Sequence, residues 1–186
     1  DASLAAGRDA IFRYFAGEIF ASARPENRRA LMLTAIPPSF TQADAVALTG
    51  DDDVARLLEY LYRRHLFLDR RRGAQTTYHY HALFREFLLE ECRARLLAEE
   101  LRAAQRRAAE LLAARGQAGD ALALYREAGE WEAMRALVHA SALDWARQGR
   151  AQAVSDWIEA LPAPMRAGDP WLEYWFGRAW IFVQPQ

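Results

Sequence analysis

Apolar residues recur at helical spacing through most of the 186 positions and at strand spacing in one short place. Leu4, Ile11, Phe12, Phe15, Ile19 and Phe20 fall near one face of a helix over 4–22, with Arg8, Asp9, Arg13 and Glu18 off it. Pro25 suits the first turn of a second helix, where its missing N–H costs nothing. Leu31, Leu33 and Ile36 carry the apolar stripe on to Pro37-Pro38, which stop it. Thr41 followed by Asp44 predicts a capped short helix that closes at Gly50. Asp51-Asp52-Asp53 predicts the start of the next helix, where carboxylates favour the positive end of the dipole. Its buried face is Val54, Leu57, Leu58 and Leu61, with Tyr62 flanking.

After His65 the period shortens. Leu66-Phe67-Leu68 reads as a strand, Arg70 to Gln75 as a turn, and Thr76 to Tyr80 as the return strand. There Tyr78 and Tyr80 face one way while His79 and His81 face the other. Helical spacing resumes at once, with Leu83, Phe84, Phe87 and Leu88 as one stripe. This order predicts a mainly α protein whose residues 25–97 form a winged-helix unit with one small β-hairpin.

Beyond residue 97 only helices are predicted. Their apolar faces are Leu101 to Leu112, Ala121 to Tyr125, Trp131 to Val138, Leu143 to Ala146, and Val154 to Leu161, punctuated by Gly116, Gly129, Gly149 and Pro162. Short helices with aromatic and small residues alternating read as tetratricopeptide-like antiparallel helix pairs over 98–186. The last helix carries Trp171, Trp175 and Trp180, an aromatic face that needs a neighbour. These three form a candidate interaction surface, with a dimer through that end as the expected outcome.

Composition narrows the function classes. A formal net charge of -1, with 52% apolar and 26% charged residues, describes an ordinary soluble globular protein and not a dedicated nucleic-acid binder. Every basic residue is Arg, so a phosphate-cradling Gly-x-x-x-x-Gly-Lys-Ser/Thr loop is excluded. One cysteine, Cys92, excludes an intrachain disulfide and fits a reducing cytoplasm. Its neighbours Glu90 and Glu91 disfavour a thiolate. No apolar run has membrane-spanning length, so no membrane partner is expected. The chain begins in mid-pattern and ends on an aromatic helix followed by Gln184-Pro185-Gln186, and reads as a piece of a longer protein.

Among the histidines, His79 and His81 share a face, but two imidazoles without a third ligand make a poor metal site, and none is expected. His65 suits a helix end. A winged helix also raises DNA binding. The first turn of the candidate recognition helix, however, would present three aspartates to phosphates, and Arg70, Arg71 and Arg72 on the wing read as solvated charge. No catalytic residue is expected, and a protein-protein interaction scaffold that uses the helical repeats is the alternative reading.

The segments Tyr14 to Phe20, Leu57 to Leu61, Leu66 to Leu68 and Tyr80-His81-Ala82-Leu83-Phe84-Arg85-Glu86-Phe87-Leu88 together resemble the middle of MalT-like large LuxR-type regulators, which are signal-transduction ATPases with numerous domains. Ala128 to Trp131 and Trp157 to Pro162 resemble the start of their helical-repeat sensor. The resemblance implies that residues 1–24 end an ATPase helical subdomain, 25–97 form a lid, and 98–186 begin the sensor. It implies ATP or ADP in the intact protein, acting as a slow ATPase switch, but no cofactor in this piece. Its partners would be the protein's own ATPase domain and a small-molecule or protein effector, with DNA reached only through a C-terminal helix-turn-helix. His81 matches the lid histidine that contacts the ADP β-phosphate in related proteins. Tyr80 and Ala82 stand where a Met and an Asp are common, so the role is carried over for His81 alone. The other reading of His81 is a helix-start histidine bonded to a nearby backbone carbonyl.

Overall fold

A computed structural model describes the backbone of residues 2–183 and the side chains of 12–177. The chain packs as two units, Asp1–Ala108 and Ala109–Gln186. In the first, α1 (Ala2–Ser22) and α2 (Pro25–Ala35) are followed by a two-residue strand β1 (Phe40–Thr41), then α3 (Gln42–Thr49) and α4 (Val54–Arg63). Strands β2 (Leu68–Arg71) and β3 (Thr77–Tyr80) lead into α5 (Ala82–Arg95) and α6 (Ala98–Ala114), within which the division at Ala108 falls. The sheet has three antiparallel strands in the order β1-β3-β2, one more than the expected hairpin. Phe40 pairs with Tyr78, and Leu68 with Tyr80. A two-residue strand is too short to alternate visibly, which is why β1 leaves no trace in the pattern. Helices, sheet and their order make a winged-helix unit.

The local logic is simple. Thr41 and Asp44 form a reciprocal capping box, Asp44 N–H to Thr41 Oγ1 at 3.1 Å and Thr41 N–H to Asp44 Oδ2 at 2.7 Å. Gly50 closes α3 with φ of +69°, a left-handed conformation open to a residue without Cβ. The core joins Leu31 of α2, Ile36 just after it, Phe40, Leu58 of α4, and Phe84 and Leu88 of α5, all essentially inaccessible. Phe40 packs on the rings of Tyr78 and Tyr80, with centroids 5.8 and 5.5 Å away.

Several expectations are corrected. Asp51-Asp52-Asp53 lies before α4 as a turn, with the Asp53 amide donating to Asp51 Oδ1 at 2.8 Å, because the aspartate side chains compete with the helical ladder. Leu66 and Phe67 are not strand: His65 and Phe67 hold φ of +53° and +56°, and β2 begins at Leu68. Leu83 and Phe15 are exposed because Phe84, Leu88 and Cys92 on α5, and Ala16 and Phe20 on α1, form the stripes that face the core at four-residue spacing. The expected positions of Leu4 and Ile11 lie outside the described side chains.

The second unit continues with α7 (Ala118–Ala128), α8 (Trp131–Arg147), α9 (Ala151–Ala160), the short α10 (Ala163–Arg166) and α11 (Pro170–Val183). The apolar runs 131–138 and 143–146 belong to one helix, α8, where two were expected. No glycine or proline separates them, and Ala142 is buried between Val138 and Trp145. Helix α7 packs on α8, α8 on α9, and α9 on α11. Among the described residues, no helix is long and apolar enough to cross a membrane.

Candidate functional site

The stretch from Tyr80 to Leu88 divides cleanly by what each side chain touches. Tyr80 is buried, and its hydroxyl lies 2.9 Å from Thr34 Oγ1. Thr34 gives its own proton to the Ala30 carbonyl at 2.7 Å, so Tyr80 is the donor in that pair. Burial pushes the phenol upward from its ordinary value, so it stays neutral. Phe84 and Leu88 enter the core. Phe87 is half-buried against Phe20, at 5.7 Å. Arg85 reaches across to α2, donating from Nε to the Ala35 carbonyl at 2.9 Å and from Nη2 to the Ile36 carbonyl at 2.8 Å. Cys92, a turn beyond, is buried with Sγ 3.3 Å from the Met32 carbonyl, and burial pushes its thiol up to about 11. What packing leaves unexplained is His81, Ala82, Leu83 and Glu86, all exposed.

His81 is the N-cap residue of α5, but no side chain caps the helix there, and its first turn holds no acidic residue. The first amides of α5 and the imidazole thus sit together at one exposed helix start. The His81 N–H donates to the Phe67 carbonyl at 2.9 Å. The left-handed conformation of Phe67 belongs to this turn, and its ring lies against Phe12 (4.9 Å), Phe84 (5.3 Å) and, edge-on, the His81 ring (6.0 Å). The His81 side chain is 48% accessible, and its Nε2 lies 3.3 Å from Asp69 Oδ1 on β2. The imidazole therefore faces a carboxylate, not a backbone carbonyl. Asp69 is the register partner of His79, whose Nε2 lies 3.3 Å from Thr77 Oγ1. Among the described residues, no three His, Cys, Asp or Glu side chains gather as a metal site requires.

The helix that would read DNA carries its charge in pairs. Arg56 meets Asp53 at 3.3 Å, and Glu59 takes both Arg63 (2.6 Å) and Arg70 (3.1 Å). The Arg63 hydrogen bond, with the charges of both arginines, holds the Glu59 carboxyl below the usual range. An open cleft of about 790 Å³ beside α4 has Arg24 and Arg56 on its walls with Asp51 and Asp53, and so favours neither sign of ligand. It contains none of the candidate residues.

In the second unit, Trp171 is half-buried and stacks on His139 at 4.0 Å. Trp175 lies beside Trp171, at 5.8 Å, and beside the exposed Tyr174. The side chain of Trp180 lies outside the described residues. Asp169 accepts from the Trp171 and Leu172 amides at 3.1 and 3.2 Å, and from His139 at 3.0 Å. Burial would raise its carboxyl, but the Leu172 amide and His139 outweigh this and hold it below its ordinary value. The Asp169-Pro170 dipeptide, a cap residue before a first-turn proline, was the available signal for this arrangement. Asp69 had only the hairpin register to announce it.

Residues 16–101 match the family model of the MalT winged helix domain. This segment is a MalT-like winged helix domain. Across 90 residues the chain is also 33% identical to the HTH-type transcriptional regulator MalT of Vibrio cholerae serotype O1, a match covering 48% of this chain and 10% of that regulator. The match spans about a tenth of the relative's length, and the α1 residues from Ala16 onward belong with the MalT-like segment.

Proposed function

We propose that this chain is the regulatory middle of an ATP-dependent, LuxR-type transcriptional regulator. Its MalT-like winged helix acts as a lid that reads the nucleotide on the protein's own ATPase domain, and the following helices begin a tetratricopeptide-like arm that takes an effector, a small molecule or a protein. The segment itself makes and breaks no bond; slow ATP hydrolysis belongs to the ATPase domain, and DNA contact to a separate helix-turn-helix. The reading rests on one observation. Packing accounts for Tyr80, Phe84, Arg85 and Leu88, and leaves His81 exposed at an uncapped helix start, where a side-chain donor and backbone amides meet. Those groups fit the β-phosphate of ADP. Leu83, 44% exposed beside them, offers apolar area to the domain that carries the nucleotide.

The test is nucleotide affinity of the full-length protein carrying His81→Ala. Loss of a hydrogen bond to a charged phosphate should weaken ADP by about tenfold or more and leave ATP nearly unchanged. An unaltered preference for ADP over ATP removes the role. Direct DNA reading by this piece is disfavoured, since Arg56 and Arg63 of α4 already face carboxylates and Arg64, just after it, the Tyr60 ring.

A further inference from the structure

The exposed imidazole of His81 has a carboxylate beside it. Asp69 Oδ1 lies 3.3 Å from His81 Nε2, reaching from β2 across the hairpin, twelve positions earlier in the chain. Asp69 also sits opposite His79 in the strand register. The edge of the Phe67 ring lies against the His81 ring, with Phe12 behind it, and Arg85 of α5 donates to the carbonyls at the end of α2. A ring with an apolar contact on one side and one acceptor at Nε2 has a preferred rotation about its χ2 bond.

We propose that Asp69 is the positioning residue for His81: its carboxylate, standing beside Nε2, sets the rotation of the ring and leaves Nδ1 as the nitrogen turned to a phosphate oxygen. This rests on the nucleotide-reading role of His81. In its doubly protonated form the ring carries an N–H at each nitrogen, one toward Asp69 and one for the phosphate oxygen.

Two measurements separate the claims. In the 186-residue chain, ring-nitrogen NMR should show neutral His81 as the Nε2–H tautomer. Asp69→Asn should mix the tautomers, Asp69→Glu should largely keep them, and Asp69→Asn should leave the backbone amide spectrum away from the hairpin in place. A His81 pattern indifferent to Asp69→Asn overturns the proposal. In the full-length protein, calorimetry should show ADP binding to the Asp69→Asn protein about fivefold more weakly, the upper end for an exposed pair, and Asp69→Asn should add nothing to His81→Ala. If His81→Ala weakens ADP and Asp69→Asn leaves ADP affinity unchanged, positioning fails while the reading of the nucleotide stands. If neither variant affects ADP, the nucleotide reading fails, and with it the function assigned to Asp69. Tighter ADP binding by Asp69→Asn would make the carboxylate a competitor of the phosphate and contradict the proposal.

Discussion

Arg85 shows how much of a motif can be structural. Pro37-Pro38 stop α2, and the Arg85 guanidinium satisfies the Ala35 carbonyl at its end and the Ile36 carbonyl just beyond at once. Lysine carries the charge but not the planar fork, so Arg85→Lys should cost about 1.5–3 kcal/mol in urea unfolding. A loss under about 0.5 kcal/mol, the range of ordinary surface changes, would contradict the clamp. The sequence could not announce this, since the acceptors lie 49 and 50 positions away. His65 presents the opposite case. It is exposed with φ of +53° and bonds through its backbone to Tyr62. His65→Gly should raise stability by up to about 1 kcal/mol in the same assay, because only glycine enters that region without a Cβ penalty. Lower stability would mean that the imidazole makes a contact that outweighs the strain.

At the scale of elements, patterns with period 3.6 were legible and the ends were less so. The helix faces, the capping box and the glycine stops at Gly50 and Gly129 follow from sequence alone, because each is a local steric or hydrogen-bonding requirement. The strand β1, the left-handed turn before β2 and the continuity of α8 do not, because tertiary partners decide them. The start of α11 allows a pH test. Folding holds the Asp169 carboxyl below its unfolded value, so between the two values the unfolded chain binds protons more readily. Its contribution is therefore complete at neutral pH and lost as pH falls through the lowered value, below about pH 4. Asn can still accept the amides of α11 but brings no charge to His139 and Arg135, whose Nη1 lies 3.6 Å away. Asp169→Asn should be less stable than wild type at pH 7, and the gap should close on acidification, as read by denaturant midpoints. A gap constant with pH would show that the carboxylate's charge is irrelevant.

For the molecule as a whole, the fold class was readable, and the candidate site was readable only in part. His81 stood out because a strand-to-helix joint with a histidine is visible in one dimension, whereas Asp69 and Phe67 join it only through hairpin register and a turn with positive φ. Trp171 was legible as aromatic surface but not as the ring stacked on His139, and Tyr174 carries the exposure expected of its neighbours. The account holds that the start of α5 is the surface on which the nucleotide state is read. A photoreactive amino acid in place of the exposed Leu83, in the full-length protein, tests this most directly. With ADP bound it should cross-link to the ATPase domain of the same chain, and with ATP bound that product should fall sharply. Cross-linking that is absent in both states, or equal in both, would contradict it.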